Sequence, residues 1–242
     1  RDVPGLSWRV GGGGWVVCTG ASREIGGLPV WLKKGASPKV QEKPGLFMAA
    51  EQVELLGAGS VADRSQGDVH PEGNPHAFQD PSKLLVIAQK LAERLALLDS
   101  DNKTYYLNRF NDFKGRWLTA IANWEVKAAP LKGQPVVVHH KSWEYFLNWL
   151  EIDMVAAIEP LPGIPPTTRH LSELVTQMKS TPAYAIVRAP FIDKKGSLWL
   201  AKKTGICAVE LAYTVGGSEK ASDLFSLFDT MIDQLLDAKQ CQ

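Results

Sequence analysis

The chain has 242 residues, with 27 Lys+Arg against 26 Asp+Glu, 45% hydrophobic and 22% charged side chains. That length suits one large domain or two lobes, with enough chain to bury a full core. A net charge of +1 argues against a nucleic-acid partner, whose binders carry a basic excess, and no apolar run approaches the ~20 residues of a membrane-spanning helix. The chain opens on Arg1 with no charged-then-apolar leader pattern, so it reads as processed or cut.

In chain order, Trp15 to Cys18 reads as a short buried strand before a turn at Thr19-Gly20. Leu28 to Leu32 is apolar, and Pro29 suits the first turn of a helix better than a strand. Pro38 and Pro44 mark a loop. A polar, rigid segment follows around His70 and His76. Asp80-Pro81-Ser82 then gives a cap and a first-turn proline. Leu84, Ile87, Leu91, Leu95 and Leu98 continue as one helical stripe. A second helix follows Asp99-Ser100-Asp101, with Tyr106, Phe110, Phe113, Trp117, Ile121 and Trp124 as its expected core face, and ends at Pro130.

Beyond that point strand and helix alternate, the pattern of an α/β fold with a parallel sheet and helices on both faces. Strands are expected over 135–138, 154–158, 184–187 and 207–211. Helices are expected over 142–150, 167–179, 193–204 and 221–238. The three cysteines, Cys18, Cys207 and Cys241, are too scattered for a disulfide framework or a metal knuckle. Free or buried thiols are the plainer reading, with a Cys207–Cys241 bridge as the alternative in an oxidising compartment.

The segment Val17-Cys18-Thr19-Gly20-Ala21-Ser22-Arg23-Glu24-Ile25-Gly26 looks like the nucleotide-binding turn of short-chain dehydrogenases. Such a turn needs glycine where the backbone approaches the pyrophosphate, and Glu24 stands there instead. No tyrosine has a lysine four residues on, so the enzyme reading is the weakest one.

Histidine is the commonest neutral metal ligand, and zinc takes three or four N, O or S donors. His76 sits just before a capped helix, and His140 just past the expected 135–138 strand, at the edge where α/β sheets carry their ligands. As an isolated pair they could equally be solvated loop side chains. Neighbouring motifs add to this reading. Asn74-Pro75-His76-Ala77-Phe78-Gln79-Asp80-Pro81 resembles the NPHxWLDP motif of the periplasmic zinc and manganese solute-binding proteins of ABC importers, the ZnuA/TroA type. Val137 to Phe146 resembles that family's YHxSFxYF segment, and Ile158-Glu159-Pro160-Leu161-Pro162-Gly163-Ile164-Pro165-Pro166 its IEPxPGxPP turn. Even Thr19-Gly20 to Glu24 and Leu28 fit its NGxxxExWL stretch.

The resemblance implies two α/β lobes, each a parallel sheet flanked by helices, joined by a long rigid helix with the metal in the cleft. Residues 1–80 would form the N-terminal lobe, 81–98 the linking helix and 99–242 the C-terminal lobe. His76 and His140 would be metal ligands, with His70 approaching from the same loop as His76. His139 falls at a non-ligand tyrosine position, and His170 is expected on the surface. The family's first ligand histidine has no counterpart here, and its late aspartate aligns with Tyr213, so the N-terminal lobe is expected to be incomplete.

The implied function is capture of a metal ion outside the cytoplasm, in the periplasm, by a monomer that delivers it to an ABC importer's permease, without catalysis. Neutral imidazoles favour Zn2+ over Mn2+, which prefers carboxylates. Imidazole must be neutral to ligate, so binding should weaken below pH ~6.5. A metal-free α/β binding or structural protein with a degenerate site is the alternative.

Overall fold

The computed structural model describes residues 15–21, 24, 27–28, 30, 32, 44–59, 72–161 and 163–241. The Gly11–Gly14 run, Pro38 and His70 lie outside them. The described residues fall into two compact units, divided between Arg116 and Trp117.

In the first unit, strand β1 (Val16–Cys18) pairs in parallel with β2 (Leu46–Met48), Val16 opposite Leu46 and Cys18 opposite Met48. β2 was not expected, because three residues between Pro44 and a polar stretch are too few for an alternation to show. Leu28, Val30 and Leu32 are helical, as Pro29 suggested, and Leu28 is buried. Helix α1 (Pro81–Leu98) begins where its signals lie. The Asp80 carboxylate accepts the backbone N–H groups of Ser82 at 2.8 Å and Lys83 at 3.3 Å, and Pro81 occupies the first turn. Arg94 on α1 donates through Nη1 to the carbonyls of Pro44 and Leu46, at 2.9 and 3.0 Å, and so ties the helix to β2.

Helix α2 (Lys103–Ala128) carries the division between the units. Helix α1, the expected linker over 81–98, lies wholly in the first unit. The aromatic face of α2 divides in the same way. Tyr106, Phe110 and Phe113 are only half-buried, whereas Trp117, Ile121 and Trp124 are buried in the second unit. Trp117 packs edge-on against Trp124, Phe225 and Phe228, with ring centroids at 5.1, 4.9 and 5.6 Å, the geometry that aromatic quadrupoles favour.

The second unit is the expected alternation: β3 (Pro135–Val138), α3 (Glu144–Trp149), β4 (Asp153–Ala157), α4 (Thr168–Ser180), β5 (Ala185–Arg188), α5 (Lys195–Thr204), β6 (Ala208–Glu210) and α6 (Leu224–Leu236). Its parallel sheet runs in the order β4-β3-β5-β6. The first strand of this unit in sequence, β3, is therefore internal, and the connections from β3 and β5 leave in opposite directions. Val136, Val137 and Val138 are fully buried, which explains the unbroken apolar run, since a parallel strand is covered on both faces. Val137, Ile158, Leu174, Met178, Ile186 and Leu200 form part of one core cluster in this unit. Among the described residues no helix is long and apolar enough to cross a membrane.

The plainer thiol reading needs correction at Cys207, which is disulfide-bonded. Cys18 is a free thiol, pushed up to about 11 by burial and, secondarily, by the nearby Glu24 carboxylate.

Candidate metal centre

Each expected ligand is built by its own short turn. In the first unit, Gly73 adopts φ +113°, a conformation that side chains resist. Asn74 then donates its backbone N–H to the carbonyl of Leu56 at 2.8 Å. The Asn74 Oδ1 atom accepts the backbone N–H of His76 at 3.0 Å and lies 2.7 Å from His76 Nδ1. An amide oxygen can only accept, so Nδ1 carries the proton and Nε2 carries the ring's lone pair. His76 itself is buried and caps the 3-10 turn Ala77–Gln79.

In the second unit, His140 lies just beyond β3, and Glu159 just beyond the neighbouring β4. His140 Nδ1 is 2.7 Å from Glu159 Oε2, and the same oxygen accepts the backbone N–H of Gly163 at 2.9 Å. Gly163 can offer that N–H because it turns the chain at φ +76° between the bridged residues Leu161 and Ile164. The backbone N–H of Glu159 is also held, at 3.0 Å, by the carbonyl of His139. A carboxylate behind an imidazole fixes the ring and raises its basicity as a ligand.

Asn74 and Glu159 therefore orient the two imidazoles, a role not assigned to them from the sequence. The signal was present in the motifs, since a ligating histidine almost always donates its second nitrogen to an oxygen. The remaining candidates separate clearly. His70 lies outside the described residues. His139 is buried, and desolvation holds it below the usual imidazole range. His170 is half-buried, its Nε2 3.0 Å from the carbonyl of Ala157, so it joins α4 to β4. Tyr213 is buried between Trp143 and Phe191, with centroids at 5.3 and 5.1 Å. Among the described residues, no group of three or more His, Cys, Asp or Glu side chains is gathered to hold a metal ion.

Glu24 settles the dehydrogenase-like turn. Its Oε1 accepts the Thr19 N–H at 2.7 Å and its Oε2 the Gly20 N–H at 3.0 Å. The carboxylate thus occupies the backbone donors that a pyrophosphate would need.

The profile of the family described as zinc-uptake complex component A, periplasmic (ZnuA), matches residues 10–238. The chain belongs to the ZnuA family. This is a family of substrate-binding proteins rather than enzymes. A curated relative, the metal ABC transporter substrate-binding lipoprotein SloC of Streptococcus mutans, is 20% identical over 203 residues, covering 83% of this chain. The chain spans 64% of that relative's length. Among solved structures, a ZnuA crystal structure superposes with a TM-score of 0.79 at 21% identity, covering 98% of this chain and 84% of that one. FpvC of Pseudomonas aeruginosa in complex with Ni2+ gives 0.75 at 18% identity, covering 100% and 82%. A Mn-bound mutant of a periplasmic metal-binding protein of Candidatus Liberibacter asiaticus gives 0.77 at 11%, covering 98% and 85%. These likenesses carry the ZnuA-like fold that the motif resemblance implied.

Proposed function

We propose that this chain captures a divalent metal ion outside the cytoplasm and delivers it to the membrane permease of an ABC importer, acting as a monomer. His76 and His140 are the protein ligands of this reading, and His70 is a candidate third. The observation that carries it is the shared build of the two turns: each imidazole has Nδ1 held at 2.7 Å by an oxygen, of Asn74 in one case and Glu159 in the other. That is the arrangement of a metal-ligating histidine. Family membership and the description of SloC as a metal-transport lipoprotein support the same reading. The disulfide at Cys207 suits an oxidising compartment.

Zinc is the proposed cargo. Neutral imidazole suits zinc better than manganese, which favours carboxylate and water oxygens. Water would complete the coordination sphere, and the affinity would be lower than for a three-histidine site. Competitive titration of the purified chain with Zn2+, Ni2+ and Mn2+, beside a His76→Ala/His140→Ala double variant, tests this. Zinc should bind the parent chain more tightly than manganese, and the double variant should lose that binding. Equal zinc affinity in parent and variant would overturn the site.

One observation favours a second reading, a metal-free binding protein with a degenerate site. Tyr213, at the position that aligns with the family's late aspartate, is packed among aromatic rings and supplies no carboxylate. The same titration separates the readings, since a degenerate protein binds no zinc in either form.

A further inference from the structure

Helix α5 (Lys195–Thr204) packs against α4 and divides into two faces. Ser197 and Leu200 are fully buried. At 3.6 residues per turn, Lys195, Leu198, Trp199 and Lys202 share the opposite, outward side. Lys195 and Lys202 are exposed, Leu198 is 48% exposed and Trp199 is half-buried. Lys194, the N-cap, and Lys203 flank this stripe and are exposed as well. The Lys203 ammonium stands 5.9 Å from the centroid of the Trp199 ring, within cation–π range.

Two features set this helix apart from an ordinary solvated one. The first is its charge. Residues 191–204 carry four lysines against one acid, Asp193, in a chain with 27 basic and 26 acidic side chains. Asp193 reaches the Lys195 ammonium only at 3.6 Å, and its other oxygen accepts the Lys195 N–H at 2.8 Å. Among the described residues, no acid pairs with Lys194, Lys202 or Lys203. Acids on the packed elements are engaged elsewhere: Glu173 of α4 holds Arg169 at 2.9 Å, and Glu210 of β6 holds Arg188.

The second feature is position. Lys202 and Lys203 lie in the last turn, where cations suit the helix dipole. Lys194 and Lys195 stand at the positive end, where cations are unfavourable. Helix stability thus accounts for the pair at the end and not for the pair at the start.

We infer that the outward face of α5 binds a membrane surface carrying anionic phospholipid headgroups. The four ammonium groups meet the phosphates, while Leu198 and the open part of Trp199 enter the headgroup layer. Lysine with leucine and tryptophan is the composition of interfacial helices, and tryptophan favours that depth. Each lysine near such a surface multiplies the affinity by about fivefold. The attachment is therefore weak and reversible, and it keeps the chain in the plane of the proposed permease. The inference goes beyond metal capture and rests on α5, not on His76 or His140.

Co-sedimentation of the full chain with vesicles tests it, with chelator present so that the metal site plays no part. Phosphatidylcholine vesicles with about one third phosphatidylglycerol should retain the chain, and vesicles of phosphatidylcholine alone should not. Salt at about 0.5 M should release it. Lys194→Gln/Lys195→Gln and Lys202→Gln/Lys203→Gln should each bind at least about tenfold more weakly, with unchanged circular dichroism. Leu198→Ser should lose affinity by a smaller factor. Lys103→Gln/Lys132→Gln removes the same charge from exposed positions outside α5 and should bind as the parent does. Equal retention on both kinds of vesicle would overturn the inference. So would retention on neither, the result expected if the face served an acidic protein instead. Equal weakening in the α5 variants and the Lys103/Lys132 control would also overturn it, since net charge would then be the cause. A failure of zinc binding in the parent chain would bear on the metal site alone.

Discussion

The imidazole of His140 and the carboxylate of Glu159 meet at 2.7 Å, and the oxygen that holds the ring also accepts the Gly163 N–H at 2.9 Å. One carboxylate oxygen thus fixes both the strand-end histidine and the turn behind it. Glu159→Ala should lower zinc affinity by about 10–100-fold, the usual effect of removing a ligand's orienting partner. Glu159→Gln, which keeps an oxygen but not the charge, should lose less. Asn74→Ala should act on His76 in the same way. Zinc titration by calorimetry checks all three, with circular dichroism confirming the fold. Unchanged affinity in Glu159→Ala would remove His140 from the site.

Gly73 controls the other turn. A Cβ at this position would lie 2.6 Å from Leu55 Cβ and 3.1 Å from the Leu56 carbonyl oxygen, and that oxygen is the acceptor for Asn74. Gly73→Ala should therefore cost about 1–3 kcal/mol of stability and weaken zinc binding. Gly57→Ala is the control. Its φ is +69°, but a Cβ there meets nothing within 4 Å, so it should cost about 1 kcal/mol and leave zinc affinity unchanged.

Asp223 and Ser226 form a reciprocal cap at the start of α6. The Asp223 carboxylate accepts the Ser226 N–H at 2.7 Å, and Ser226 Oγ accepts the Asp223 N–H at 2.9 Å. Asp223→Ala should cost about 1 kcal/mol, a fall of about 2–4 °C in the Tm of this unit. The hydrogen bonds from Ser226 lower the Asp223 pKa. The native state therefore binds this proton less readily than the unfolded chain. The cap's contribution is complete above the ordinary carboxylate range, near pH ~4, and is lost as pH falls through the lower native value. Thermal melts across that range should show a shallower acid decline in Asp223→Ala than in the parent.

Cys18 should react slowly. Its thiol is pushed up to about 11 by burial, with Glu24 adding to the effect, and only the thiolate is nucleophilic. Alkylation of Cys18 by iodoacetamide, followed by mass spectrometry, should accelerate about tenfold per pH unit above neutrality until pH approaches about 11. Glu24→Gln should shift the profile slightly downward, because it removes the smaller of the two causes.

The sequence was most legible where one physical signal dominated. Asp80-Pro81 announced α1 because a cap and a first-turn proline each fit few other structures. Val136 to Val138 announced β3 because burial on both faces removes the polar alternation. Helix α2 showed the limit of periodicity. Its stripe from Tyr106 to Trp124 is continuous in sequence, yet only Trp117 onward is buried, since a stripe does not say which unit covers it. β2 was too short to see. At the proposed site, motifs pointed to His76 and His140, while no role was read from the sequence for Asn74 or Glu159. Nothing in a one-dimensional pattern brings residues 140 and 159 together until β3 and β4 are adjacent strands.

β3 is hydrogen-bonded along both edges, to β4 and to β5, and His139 continues the ladder by donating to the Val187 carbonyl at 2.7 Å. Amides in such a strand exchange with solvent only when the whole unit opens. His140 thus follows directly on a segment that should be among the last to open. His76 precedes a 3-10 turn of only three residues, Ala77–Gln79, and short elements of this kind open at lower cost than a central strand. If an ion is released by degrees, the imidazole of His76 should let go first.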